Sequence, residues 1–454
     1  MPLFDESLYR FDEPQASWWE ASADTDPLGA DPLEEQESCE VAIIGGGYTG
    51  LSAAYHLAGE FNLDVRVLEA GHLGWGASGR NGGFCCIGGT QLEIEQQVRK
   101  FGEEETRNFY RCQTEAVELV RNIVTEEGLE VDFQGDCELE VAEKPSHFQK
   151  LKQKNEIHRA ILGLDSRIIS KEEFREIGYD APHQHGALAI RPGFGLHPLK
   201  YCRGLARAAL RKGAILHPGS EVIRWDKRNG KHALTTGSGG TLIAKNVVVA
   251  CNGFMPDSLH KQFAARALPL QSQIIVTREL TVDELSAHGW VTENPAVNSR
   301  NVFFYYRMLP GNRFMIGGRG DFVGTSEGAK VTARNLRQSM VELWPEWQAV
   351  EVEFDWRGFV CFTSKLRPSI GRLPDDPSIY FGFGYHGNGV NNATWTGREI
   401  ARWLAGTNDR TNPLPVHLPA IVRGITPKFP FPGLRRYYAK AGVGIHQFKD
   451  MIDR

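Results

Sequence analysis

Gly45-Gly46-Gly47-Tyr48-Thr49-Gly50 joins a short apolar run, Cys39 to Ile44, to small and apolar residues at helical spacing, Leu51 to Ala58. A second run, Val65-Arg66-Val67-Leu68, ends at an acid, Glu69, nineteen residues beyond Gly50. This is a strand–turn–helix–strand opening with the chemistry of pyrophosphate binding. Gly45 permits the tight turn, Gly47 lets the backbone approach a phosphate, and Gly50 lets helix and strand pack closely. The helix start offers unpaired N–H groups to phosphate oxygens. Glu69 is placed to accept ribose hydroxyls, and its charge disfavours a 2′-phosphate. The spacing therefore points to a cofactor containing ADP.

The stretch GWGASGRNGGF, residues 74–84, decides between the two common cofactors of this kind. It places five glycines in eleven residues directly after the acid. A nicotinamide unit could pass from Glu69 into its next helix without such a loop. Here Ser78, Arg80 and Asn81 sit among bare backbone, ready to donate to phosphates and to a flat ring. A flexible surface loop would account for the same composition. A second GxGxxG string, Gly382 to Gly387, also joins a strand to a helix, but no later strand ends in an acid. No CxxC or CxxxxC pair exists to relay hydride from a nicotinamide, so electrons are expected from an organic substrate. No metal-ligand set is expected.

The 454 residues exceed what one core usually supports, so two domains are expected. The first 38 residues are acidic, with Trp18-Trp19 as the large apolar anchor, and read as an arm laid over a domain. Residues 93–126 and 145–178 read as helical. Residues 186–254 return to α/β rhythm, with a helix from Pro198 to Lys212 and a buried strand, Asn246 to Cys251. Residues 268–320 alternate as strands, including Val302 to Arg307 and Arg313 to Arg319. A final α/β unit starts at Ser378. The expected division is an arm over 1–38, a cofactor domain from 39–92, 186–255 and 356–418, a second domain from 93–185 and 256–355, and a tail over 419–454.

A net charge of -5 argues for neither nucleic acid nor membrane as partner. Twelve acidic side chains crowd residues 1–40, and six basic ones lie in 425–454. These ends are read as solvated or packed near one another. No apolar run of eighteen residues implies a membrane span, and no secretory leader is read at the N-terminus. Eight scattered cysteines read as reduced thiols of a cytoplasmic protein.

The ASGRNGG segment, following GGGYTG and the acid, resembles the D-amino-acid-oxidase-type flavoproteins, in particular the gamma-glutamylputrescine oxidoreductase-like branch. Ser17-Trp18-Trp19-Glu20, Leu196 to Lys200, Tyr305-Tyr306-Arg307, Trp356-Arg357-Gly358, Arg367 to Arg372 and Gly384 to Val390 carry the likeness along nearly the whole chain. The fold it implies is α/β plus antiparallel β: a discontinuous Rossmann-like FAD-binding domain with an inserted α+β substrate domain. The resemblance implies FAD contacts at Gly45, Gly47, Tyr48, Thr49, Gly50, Glu69 and Ala70, and along Ala77, Ser78, Gly79, Arg80, Asn81, Gly82 and Gly83. Further contacts are implied at Val222, Gly253, Gly387, Asn388, Gly389 and Val390. Relatives with covalent flavin can carry a cysteine where this chain has Gly358, so non-covalent FAD is expected.

The activity implied is oxidation of the carbon beside an amine nitrogen, by hydride transfer to the flavin and hydrolysis of the imine, with oxygen or an unknown acceptor reoxidising it. Tyr306, Arg307, Lys365, Arg367 and His386 are the candidate catalytic and substrate residues. Each could equally serve a plain structural purpose. Tyr305 and Tyr306 alternate on a strand, so one belongs to the core. Arg307 could pair an acid, Arg367 could seat the Pro368 turn, and His197 could cap a helix. An oxidase of sarcosine, glycine or related amino acids is the rival and requires an Arg or Lys clamp for a carboxylate. A nicotinamide dehydrogenase and a non-enzymatic flavin-binding protein complete the range of functions open to such a chain.

Overall fold

A computed structural model describes residues 3–24, 28, 30–408, 418–435, 437, 438 and 440. Of the tail expected over 419–454, residues 436, 439 and 441–454 lie outside the described residues. Two eight-stranded sheets organise the chain. The first is the Rossmann-like one. Its central strand, Gln36–Ile44, pairs in parallel with Val65–Leu68 on one side and Thr241–Val249 on the other. Ile215–His217 and Ile379–Phe383 extend it in parallel at either side, and Ser369–Arg372 closes one edge as an antiparallel strand. Val41, Ile43, Val67 and Val248 are fully buried, because helices cover the sheet.

Three helices matter for the site. Tyr48–Gly59 follows the central strand and is buried on all but its last residue. It packs between Pro198–Arg211 and Gly389–Asn408 in the largest apolar cluster. Strand order reverses at Gln36–Ile44, and a crevice at the carboxyl ends of such strands is where ligands bind in open α/β sheets.

The second sheet runs Val352–Thr363, Ala267–Glu279, Arg313–Arg319, Tyr305–Leu309, Ala296–Asn298, Glu138–Val141, Ala187–Arg191, Asp165–Ile169. Every pair is antiparallel except Ala296–Asn298 with Glu138–Val141. One face packs on the helix Ser326–Leu343 through Tyr306, Phe314, Ile316 and Trp344. The other face carries Ile274, Met315 and Trp356 and meets Trp19 of the arm.

The sheets share the chain differently from the expected boundaries. Ala187–Arg191 and Val352–Thr363 both belong to the second sheet, although the sequence placed 186–255 and 356–418 with the cofactor-binding sheet. Ala187 to Ile190 are all buried, and a continuous apolar run does not distinguish a central antiparallel strand from a parallel one. The helical reading of 145–178 is also corrected. Pro145–Ile157 and Lys171–Ile177 are helices, but Asp165–Ile169 between them is an edge strand. The helix expected over 93–126 breaks at Gly102, where φ is +88°.

Candidate active site

The crevice begins at Gly45. Its φ of +110° belongs to glycine, and a Cβ there would stand 2.8 Å from the Ala250 carbonyl. Gly47 caps the following helix without a side chain, and a Cβ would come 2.7 Å from Ser78 Oγ. Ser78 Oγ accepts the Tyr48 N–H at 3.0 Å, which ties the helix start to the glycine loop. Thr49 Oγ1 pairs with Tyr385 OH at 2.7 Å and so ties the same helix to the last α/β unit.

Glu69 closes the crevice from the next strand. Its carboxylate accepts the N–H of Gly46 at 2.6 Å and of Gly71 at 3.1 Å. Burial raises its pKa against these two donors. Ser220 N–H reaches the Glu69 carbonyl at 2.7 Å, bringing the strand that begins at Val222 alongside.

The loop 74–84 is held from behind. Ala77–Gly79 forms one 3₁₀ turn, and Asn81 Nδ2 donates to the carbonyls of Ala77 and Ser78 at 3.0 Å each. Asn81 Oδ1 accepts the Gly83 N–H at 2.8 Å. The Arg80 guanidinium stacks 3.9 Å from the Trp75 ring and donates to the Trp75 carbonyl at 2.6 Å. Burial lowers its pKa to about 9. A Cβ at Gly358 would lie 3.3 Å from Arg80 Cβ, so the strand of the second sheet runs tight against the loop.

The candidate catalytic residues do not form one cluster. Tyr306 faces away from the loop: its OH pairs with Tyr179 OH at 2.7 Å, inside the Phe314–Trp344 core. Strand alternation gives the loop-facing place to Tyr305, whose ring approaches Gly82 and whose OH pairs with Ser272 Oγ at 2.8 Å. Arg307 does face the loop, but it is 1% exposed and donates to the Gly82 carbonyl, Gln134 Oε1 and the Leu196 carbonyl. Arg367 donates to the carbonyls of Ala420 and Ile421 and lies over the Phe101 ring. Lys365 is exposed on a turn.

His386 is the candidate that keeps an open valence. It sits at φ +54° with its ring edge-on to Phe362, 4.9 Å between centroids. Thr363 Oγ1 donates to the Arg367 carbonyl at 2.7 Å, so the contact of His386 Nε2 with that oxygen at 3.4 Å makes Nε2 the protonated nitrogen. Nδ1 then carries a lone pair; it is buried and has no partner among the described residues. Burial lowers the His386 pKa to about 4, so the ring is neutral at neutral pH. Asn388 beside it donates to the Cys86 carbonyl at 2.9 Å. The helix start at Gly389 opens onto space, with nothing within 4 Å of a built Cβ, while Val390 is buried. Gly384 N–H meets Asn252 Oδ1 at 2.9 Å, next to Gly253.

These features fit FAD. The pyrophosphate end is offered a helix start whose N-cap is glycine, the ribose a buried carboxylate, and the ring a glycine-rich loop and an open helix start at Gly389. Sequence reasoning did not single out Trp19, Trp356, Tyr305 or Gln134 as parts of this site. Trp19 stood out as part of an anchor, and Trp19, Tyr305 and Trp356 lie in segments that carried the family resemblance, but none was assigned to the site.

A crevice of this form, roofed by an antiparallel sheet, defines an FAD-dependent oxidoreductase. The chain belongs to the FAD dependent oxidoreductase (DAO) family, whose model matches residues 40–403. It is 30% identical to gamma-glutamylputrescine oxidoreductase of Escherichia coli (strain K12), over 93% of this chain and 95% of that one. It is 25% identical to glycine oxidase of Bacillus licheniformis, over 82% and 94% respectively. In fold it is similar to the crystal structure of glycine oxidase from Geobacillus kaustophilus, with a TM-score of 0.66 and 20% identity over 84% of this chain and all of that one. No helix among the described residues is long and apolar enough to cross a membrane.

Proposed function

We propose that the protein oxidises the carbon next to the nitrogen of a small amine that lacks an α-carboxylate at the reacting carbon, a gamma-glutamylputrescine-like amine being the leading candidate. The observation that carries this reading is the fate of the arginines. Arg80, Arg307 and Arg367 all donate to backbone carbonyls. Arg307, on the loop-facing side of the second sheet, spends all three nitrogens on protein acceptors and is not left as a forked clamp for a carboxylate, while Arg80 Nη2 and Arg367 Nε have no partner among the described residues. The Escherichia coli relative is named for a gamma-glutamylated amine, which supports the same choice.

The flavin, when bound non-covalently, supplies the hydride acceptor. The chain's part is to bind and orient the neutral amine. We assign the parallel sheet and its helices to the cofactor and the antiparallel sheet to roofing the substrate. His386 Nδ1 is the acceptor for a hydrogen bond from the N–H of the amine, and its low pKa keeps that lone pair unprotonated at neutral pH. Tyr305, rather than Tyr306, lies on the face of the second sheet that packs against the glycine loop. Positioning carries most of the catalysis, because a deprotonated amine needs little further acid–base help.

The experiment is a comparison of kcat/KM, with the carbonyl product trapped and identified. A mono-gamma-glutamylated diamine is expected to exceed sarcosine, glycine and proline by at least roughly a hundredfold, the scale on which even apolar pocket contacts discriminate. Higher turnover with sarcosine or glycine would replace this reading with an amino-acid oxidase.

A further inference from the structure

Three successive carbonyls of the glycine loop are each gripped by a side chain from a different part of the chain. Trp356 Nε1, on the long strand of the second sheet, donates to the Arg80 carbonyl at 2.9 Å. Trp19 Nε1, in the N-terminal arm, donates to the Asn81 carbonyl at 2.9 Å. Arg307 Nε donates to the Gly82 carbonyl at 3.2 Å. In a trans peptide the C=O and the next N–H point in opposite directions. Fixing the carbonyls of Arg80 and Asn81 on Trp356 and Trp19 therefore fixes the N–H groups of Asn81 and Gly82 toward the opposite side of the loop. Neither of those N–H groups has a partner among the described residues. The Gly83 N–H, governed by the Gly82 carbonyl, is taken by Asn81 Oδ1.

Unpaired backbone donors in a tightly packed loop are costly unless a ligand meets them. We propose that Trp19 and Trp356 are positioning residues that aim the N–H groups of Asn81 and Gly82 at the flavin, which makes the N-terminal arm a working part of the cofactor site. Trp19 is 1% exposed, and its ring lies edge-on to both Trp356 and His197. The arm is fastened independently. Ser22 Oγ contacts His197 Nε2 at 3.1 Å, and Glu20 pairs with Arg203 at 2.8 Å. Trp19 is thus held by its own surroundings and does not depend on the loop for its place. Its neighbour Trp18 is the natural control. It packs on Phe354 and Arg313 and makes no hydrogen bond to the loop among the described residues.

Trp19→Phe keeps the aromatic body and deletes only the N–H. In the holoenzyme this change is expected to weaken FAD binding about fivefold to tenfold, the equivalent of one hydrogen bond. It is also expected to make the reduction potential of the bound flavin more negative and to alter its visible spectrum, since the aimed donors stabilise added electrons on the ring. Trp356→Phe is expected to move the same three readouts in the same direction, and Trp18→Phe to move none of them. A Trp19→Phe protein that melts earlier but keeps its FAD dissociation constant, potential and spectrum would reduce the residue to packing and overturn the proposal. If Trp19→Phe does not fold, Trp356→Phe decides between the same two outcomes.

Discussion

Arg307 Nε donates to the Gly82 carbonyl at 3.2 Å while its two remaining nitrogens reach Gln134 Oε1 and the Leu196 carbonyl. A guanidinium placed where a substrate clamp was anticipated is instead a bracket between the second sheet and the cofactor loop. Burial lowers its pKa to about 10, which leaves it charged at neutral pH. Arg307→Met removes the bracket and strands three buried acceptors. At about 1–3 kcal/mol for each unsatisfied group, a loss of at least roughly 3 kcal/mol in unfolding free energy is expected. Denaturant unfolding measures it. An Arg307→Met enzyme of normal stability with a raised KM alone would return Arg307 to the substrate site.

Tyr306 gives the converse result. Among the described residues its hydroxyl meets only Tyr179, on the side of the sheet away from the loop. Tyr306→Phe is expected to lower stability by about 1 kcal/mol, one neutral hydrogen bond, and to leave the rate of flavin reduction within about twofold. Single-turnover reduction checks this, and a rate loss of a hundredfold would place Tyr306 in the reaction.

Acid sensitivity follows from the buried imidazoles. Burial lowers the pKa of His197 to about 2, of His158 to about 3, and of His232 and His386 to about 4, each from 6.5. The unfolded chain takes up these protons near pH 6.5 and the folded chain does not. Stability is therefore full above about 6.5 and falls as pH drops toward the folded values, by about 1.4 kcal/mol for each pH unit and each such group. His197 Nδ1 accepts the Lys200 N–H at 3.2 Å as a helix cap, and protonation there would break it. His197→Asn preserves a capping acceptor and is expected to flatten the decline between pH 6.5 and 4, read as melting temperature against pH. An unchanged slope would show that other groups carry the acid dependence.

The attachment of flavin is tested by acid precipitation. Gly358 offers no nucleophile, and the Cys361 thiol is 2% exposed, with burial raising its pKa to about 12. A protonated, enclosed thiol does not form a flavin bond. All yellow colour is expected in the supernatant, and flavin retained by the pellet would contradict a non-covalent cofactor.

The strand–helix–strand unit that carries the cofactor motif was legible in the sequence because its constraints are local. Gly45, Gly47, Gly50 and Glu69 act within one strand–helix–strand unit, and the observed elements, Gln36–Ile44, Tyr48–Gly59 and Val65–Leu68, lie where the spacing put them. The strand Arg313–Arg319 matched to the residue, while Val302 to Arg307 shortened at its start to Tyr305–Leu309. Alternation indicated that either Tyr305 or Tyr306 would be core, but the face of a strand is chosen by what packs on it, here the Trp344 helix end. Lys365 and Arg367 lay next to a recognisable turn, yet the partners of Arg367, the carbonyls of Ala420 and Ile421, are more than fifty residues away. The grip of Trp19 on Asn81 spans 62 positions and leaves no periodic trace.

The bare loop at residues 78–83 as the seat of an isoalloxazine ring is the claim on which the rest depends, and a crystal structure of the yellow holoenzyme tests it most directly. The ring is expected between the Asn81–Gly82 backbone and the helix start at Gly389, with no covalent bond to the chain. A flavin bound elsewhere, or a loop whose crevice is closed by side chains in the FAD-loaded protein, would contradict it.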